Sequence, residues 1–407
     1  MITSKTSAFI LDCARTAIGS PYKSLRNVSA ARLASGVIKA VLGRSKIKNG
    51  LVDQVILGNT VSAGTGQNLS RQAALLAGLP ADVPAFNVNH VCGSGLQSVI
   101  LAAQSIRLGD AGLVVAGGTE SASCCPKIGW NYPLPNPAPG PKSPDGKWPP
   151  MGSGRQVESL IHDGLWCHVI NKHMGELAEY IAGQFRISRD EQDRYALQSH
   201  QKAWQAQAEN KTAVEIVPVE LGSTYLFKLD ERVRNDVSFE KLKELPAAFK
   251  ENGTVTAGNS STPADGAGIV VVASSSIVKE YKIAPAARIL GYASIAVKPE
   301  MVFTAGIPAI RECLKRCGLA FRDVDLFEIS EAFAVQAVLT KRRLKIPEGK
   351  MNVFGGDIAL GHPLGAAGAR ILVTLIHALK DQKKKRGIAC VCLGGGGAIA
   401  MAVEIFF

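Results

Sequence analysis

Two cysteines and a histidine stand on glycine-rich turns of this 407-residue chain, in surroundings that suit nucleophilic catalysis. Cys92 lies in Val88-Asn89-His90-Val91-Cys92-Gly93-Ser94-Gly95-Leu96, where an apolar, strand-like approach ends and a helical pattern of Leu96, Val99, Ile100 and Ala103 begins. A thiol at a helix start faces unpaired backbone N–H groups and the positive end of the dipole, and both favour the thiolate. The small neighbours let a bulky acyl group reach the sulfur. Taken alone, the same residue also fits a buried structural cysteine. His362 lies in Gly355-Gly356-Asp357-Ile358-Ala359-Leu360-Gly361-His362-Pro363-Leu364-Gly365, a turn that opens a helix expected over residues 366–379. Cys392 ends an apolar strand expected over 388–393, just before four glycines. A nucleophilic thiol, a histidine and a second thiol at element ends are what acyl transfer with a separate acid/base group needs. The spacings contain no paired C-x-x-C or H-x-x-x-H, so no metal site is predicted.

The elements that must position these residues form a pseudo-repeat. A strand near 86–91 leads to Cys92 and a helix, then a strand over 112–116 ends in Gly117-Gly118. A strand near 351–354 leads to His362 and a helix, then the 388–393 strand ends in Gly394-Gly395. Alternating strands and helices of this length predict an α/β fold with mostly parallel sheets, in two halves whose reactive ends meet. Between the halves, residues 121–263 read differently. They open on a Pro- and Gly-rich run over 133–150, followed by an amphipathic helix over 174–185 and a second helix entered at Ser188-Arg189-Asp190-Glu191. A segment of this kind suits a substrate-binding lid.

Composition frames the reading. The chain is 46% hydrophobic and long enough for two or three cores. It has no apolar run that reaches the roughly 18 residues needed to span a bilayer, so no membrane association is expected. The first strand, expected from residue 8, follows the start closely, and the nine cysteines lack framework spacing. Both point to reduced thiols in a cytoplasmic setting. A net charge of +12 suits an anionic ligand. The basic run Lys383-Lys384-Lys385-Arg386 has no aromatic interleaving, and nucleic acid is not an expected partner. Cys124, Cys125, Cys313 and Cys317 read as packing residues.

On these motifs the chain resembles the thiolase family, of the acetyl-CoA acetyltransferase type. The Cys92 block, Gly117-Gly118-Thr119-Glu120-Ser121, Asp163-Gly164-Leu165, His173-Met174-Gly175, Gly253-Thr254-Val255-Thr256-Ala257-Gly258-Asn259, Glu331-Ala332-Phe333-Ala334, the His362 block and Cys392 with its glycines occur in order. The resemblance implies a five-layered αβαβα fold with a loop domain inserted in the first half. Residues 1–121 and 264–285 would form the first half, 122–263 the insertion and 286–407 the second half. It implies acetyl transfer between acetyl-CoA molecules through an acyl-cysteine, with coenzyme A as substrate, no permanently bound cofactor, and a homodimer or homotetramer. Cys92 would be acylated. His362 would activate it and help bind the thioester oxygen, and Cys392 would move the proton at the α-carbon. The N–H groups of Cys92 and Gly394 would form one oxyanion hole. A 3-ketoacyl-CoA thiolase with longer-chain preference, a non-catalytic acyl-CoA-binding protein and a decarboxylating condensing enzyme are the alternatives. Cys392 beside its glycines argues against the last two.

One position departs from the family pattern. Ser330 stands where asparagine, or histidine in some subfamilies, precedes Glu331-Ala332-Phe333. That residue would hold a water that forms the second oxyanion hole with His362, and a serine is shorter for the task. A serine also commonly satisfies a nearby group instead. Leu165, His173, Met174, Ala257, Ser261 and Phe333 match positions along the pantetheine channel, and Arg234 falls where a basic residue meets the nucleotide end of coenzyme A. Ordinary packing also accounts for His173 and Met174, and a plain surface position for Arg234.

Overall fold

Strand β1 (Ala8–Thr16) is the hinge of the architecture, because both halves of the chain hydrogen-bond to it. The computed structural model describes residues 7–129, 156–222 and 225–407. The Pro-rich run over 133–150 therefore lies outside the described residues. The other main strands are β2 (Gln54–Gly58), β3 (Ala85–Val88), β4 (Leu113–Ser121), β5 (Asp265–Ser274), β6 (Ala287–Ala296), β7 (Leu326–Ile329), β8 (Arg386–Leu393) and β9 (Gly397–Ile405). They pair in the order β7-β8-β9-β6-β1-β5-β4-β2-β3.

Among the described strands, parallel pairing is confined to β2 with β3 and β4, to β7 with β8, and to a short contact of β1 with Ile216–Val217. The expected mostly parallel sheet is thus corrected to a mixed one. The physical reason lies in the connections. The glycines after Cys392 make a tight turn, so β9 folds straight back on β8 as an antiparallel hairpin. β5, reached after the long insertion, inserts antiparallel between β1 and β4. The strand expected near 351–354 is also absent; Met351 and Val353 make only isolated bridges.

Helices build the remaining layers. α1 (Ala30–Arg44) and α2 (Leu69–Leu76) cover one face of the first half-sheet with a core including Leu33, Val37, Leu57 and Val271. α3 (Ser94–Leu108) and a later helix, Leu364–Asp381, lie between the half-sheets, their apolar residues sharing one core with Val270, Val391 and Met401. In the insertion, α4 (Met174–Phe185) and α5 (Arg189–Ala208) match the expected spans, and Ser188 and Glu191 form the reciprocal cap that starts α5. α6 (Gly306–Cys317) and α7 (Ala334–Leu344) cover the outer face of the second half-sheet, and the helix Leu364–Asp381 becomes α8. The layers run helix, sheet, helix, sheet, helix. Among the described residues no helix is long and apolar enough to cross a membrane.

A buried ion cluster pins the insertion to β1. The Arg15 guanidinium donates to both carboxylate oxygens of Asp230, at 2.7 and 2.9 Å, and its Nε donates to Glu215 at 2.7 Å. All three side chains are buried, so the geometry must offset a large desolvation cost.

Candidate active site

Val91 sets the direction of the Cys92 thiol. Its φ of +49° is left-handed, which costs a β-branched residue about 1–3 kcal/mol. The distortion is held by hydrogen bonds: the hydroxyls of Ser94 and Thr60 donate to the Val91 carbonyl at 2.6 and 3.0 Å, and Asn89 accepts from its N–H at 3.0 Å. The sharp turn delivers Cys92, half-buried, just ahead of α3. No side chain caps that helix, so its positive dipole end stays uncompensated near the sulfur.

The second and third groups arrive from the other half. His362 sits between a helical turn, Asp357–Leu360, and α8, with its backbone N–H donating to Thr262 at 2.8 Å. Cys392 sits near the end of β8, sharing a core with Met174, Val302 and Phe333. The Cys92 and Cys392 turns touch: a side chain on Gly93 would meet Leu393 at 2.7 Å. Cys92, His362, Cys392 and Gly394 line one cavity of about 130 Å³ together with Leu165, His173, Met174, Ser261 and Phe333. Nine of the sequence-predicted residues therefore meet at one place.

Three do not. Ala257 and Arg234 are exposed and outside the cavity, and Arg234 lies 3.7 Å from the Asp236 carboxylate. Ser330 is fully buried behind the cavity, where its hydroxyl donates to Asp357 at 2.5 Å. His173 is also the N-cap of α4, accepting from Gly175 at 3.0 Å, and burial lowers its pKa.

Electrostatics act on His362 and Cys392 in different ways. Burial would push His362 toward neutrality, but Cys92 and Asp357 together outweigh it and raise the imidazole to about 10. Its Nδ1 lies 3.2 Å from Asp357, while Nε2 is buried with no hydrogen-bond partner among the described residues. A charged imidazole with one free N–H on the cavity side suits both a Cys92 thiolate and a developing oxyanion. Burial, reinforced by Cys92, raises Cys392 well above an ordinary thiol. Burial therefore favours the neutral thiol at Cys392.

Sequence reasoning missed Phe249 and Phe303, which line the cavity and pack edge-on against Phe333 with ring centres 6.0 and 5.1 Å away. It also missed Asp357 and Arg370. A carboxylate in an otherwise apolar, glycine-rich run was the available signal, since such a residue is buried only with partners.

Comparison with known proteins places the whole chain in one family. The thiolase N-terminal domain matches residues 8–276 and the thiolase C-terminal domain residues 283–405. An acetyl-CoA acetyltransferase of Cupriavidus necator is 44% identical over 403 residues, which are 98% of this chain and 99% of that protein. The crystal structure of the Bacillus anthracis acetyl-CoA acetyltransferase superposes with a TM-score of 0.91 at 36% identity, covering 99% of this chain and 100% of that one. The human mitochondrial 3-ketoacyl-CoA thiolase gives the same TM-score and identity, covering 99% of each chain. With both domains present and near full-length identity of this order, the chain belongs to the thiolase family of acyltransferases.

Proposed function

We propose that this protein is an acetyl-CoA C-acetyltransferase, joining two acetyl-CoA molecules into acetoacetyl-CoA and coenzyme A, or running the reverse thiolysis. The observation that carries the reading is the single cavity holding Cys92, His362, Cys392 and Gly394. The Cys92 thiolate, paired with the His362 imidazolium, attacks the thioester carbon while the N–H groups of Cys92 and Gly394 receive the oxyanion. Collapse breaks the bond to the coenzyme A sulfur, which leaves with the Cys392 proton. The Cys392 thiolate then takes an α-proton from a second acetyl-CoA, and the His362 Nε2–H stabilises the enolate oxygen. The enolate carbon attacks the acetyl group on Cys92, and collapse returns the Cys92 thiolate to its imidazolium partner. No step calls on a bound cofactor.

A cavity of about 130 Å³, narrowed by three phenylalanines, favours a short acyl group over a long chain. It is well below the roughly 300–1,000 Å³ of pockets that enclose drug-sized ligands. Leu165, Met174, Ser261 and Phe333 are the wall we assign to the pantetheine arm, and Arg234 and Ala257 its outer approach. The test is thiolysis of acetoacetyl-CoA by coenzyme A, followed by loss of the enolate absorbance, for the native chain and Cys92→Ser. Activity that collapses in Cys92→Ser supports the reading. An inactive native chain that still binds coenzyme A overturns the short-chain assignment.

The same reading divides the chain into residues 1–121 with 264–285, 122–263 and 286–407. We also infer a homodimer. β3 ends the sheet with its outer edge unpaired among the described residues, and Phe86 on it is 39% exposed. Sedimentation of Phe86→Lys against the native chain tests this. Nine free thiols support a reducing, cytoplasmic setting.

A further inference from the structure

We propose that Asp357 is a positioning residue for His362, holding its Nδ1 so that the Nε2–H faces the reacting oxygen, with Ser330 recruited as a donor to that carboxylate. The inference rests on the acetyltransferase reading above and adds a residue to it.

The geometry is specific. Asp357 is fully buried and receives four donors. Its Oδ2 accepts from the Ser330 hydroxyl at 2.5 Å and the Glu331 N–H at 3.0 Å, and lies 3.2 Å from His362 Nδ1. Its Oδ1 accepts from Arg370 Nη2 at 2.6 Å. A carboxylate so fully satisfied stays ionised and fixed in orientation. A fixed carboxylate on one ring nitrogen selects the tautomer, aims the other nitrogen and stabilises the imidazolium.

Ser330 has a single hydroxyl proton, and Asp357 receives it. The contact therefore makes Ser330 part of the histidine's support. In this chain the second oxyanion hole leans on a charged Nε2–H that a buried carboxylate sustains. The ionisable groups around the pair are Cys92 ahead of α3, Cys392 on β8, Arg370 on α8, Glu328 on β7 and Glu331 just after it. Arg370 also donates to Glu328 at 3.2 Å, and Glu331 is separately bound by Tyr195, Ser199 and Asn352. Asp357 is the carboxylate that reaches the imidazole.

The test uses the full chain with ¹⁵N-labelled histidine. In the native protein, His362 should remain protonated on Nδ1 throughout the neutral range. In Asp357→Asn, the His362 titration should fall by at least about one unit, kcat should drop tenfold or more, and KM should change less than about twofold. The alkaline limb of the kcat profile should move down with the titration. A packing role alone would leave that limb in place. An unmoved His362 titration in a folded Asp357→Asn chain overturns the proposal. If that variant does not fold, the native spectrum decides: an imidazole protonated only on Nε2 overturns it. Absence of any acetoacetyl-CoA thiolysis by the native chain would refute the reaction, not this assignment, because the titration needs no turnover.

Discussion

Gly118 on β4 and Gly365 on α8 approach so closely that a Cβ on Gly118 would lie 2.0 Å from the Gly365 carbonyl oxygen. The Glu120 carboxylate, two residues along β4, accepts from the Gly365 N–H at 2.8 Å. This contact seats the His362 half against the Cys92 half. A methyl group there must separate them. Gly118→Ala should cost about 3 kcal/mol of stability, the upper part of the range for overpacking, and abolish most activity. Gly36→Ala is the control, since Gly36 is exposed in mid-α1 with nothing within 4 Å of the added methyl. It should gain about 0.5–1 kcal/mol and keep full activity. Urea midpoints and thiolysis rates of both variants decide.

The separate places of the two thiols, Cys92 ahead of α3 and Cys392 on β8, predict half-reactions that respond differently to loss of Cys392. Cys392→Ala should still acquire an acetyl group on Cys92 from acetyl-CoA, more slowly than the native chain because the coenzyme A sulfur then leaves without the Cys392 proton. Its turnover should fall by about 10²–10⁴, the usual worth of a positioned acid/base group. Intact-mass measurement reads the first and steady-state kinetics the second. Loss of Cys92 acetylation equal to the loss of turnover would contradict the division of labour.

Phe303 is 2% exposed and closes the cavity against Phe333. Phe303→Leu should admit a longer chain, raising kcat/KM for 3-ketohexanoyl-CoA relative to acetoacetyl-CoA about tenfold. Competition between the two substrates measures the ratio directly. An unchanged ratio would remove Phe303 from the specificity wall.

Burial raises Glu328 to about 8, against the lowering effect of Arg370. The folded chain therefore holds this proton at pH values where the unfolded chain has released it. The sign follows: this group's contribution to stability falls as pH rises from the ordinary glutamate range through about 8. Glu328→Gln removes that dependence while its amide oxygen can still accept from Arg370. The variant should match the native chain below that window and exceed it in urea midpoint above it. An equal midpoint difference at both ends would show that Glu328 does not titrate there.

The sequence by itself determined the local elements and marked the candidate residues. Cys92, His362 and Cys392 are each marked by glycines at an element end, and the caps at Ser188 and the spans of α4 and α5 follow from neighbouring residues alone. Such signals are short-range, so they survive without knowledge of the fold. Only the tertiary structure decided what those residues face. β1 pairs with β5 some 250 positions away, and its antiparallel sense is set by packing between distant segments rather than by any local pattern. The surroundings of Ser330 were decided in the same way. Its partner Asp357 is 27 residues on, and that carboxylate is tolerable in the core only because Arg370 and His362 arrive beside it from their own elements.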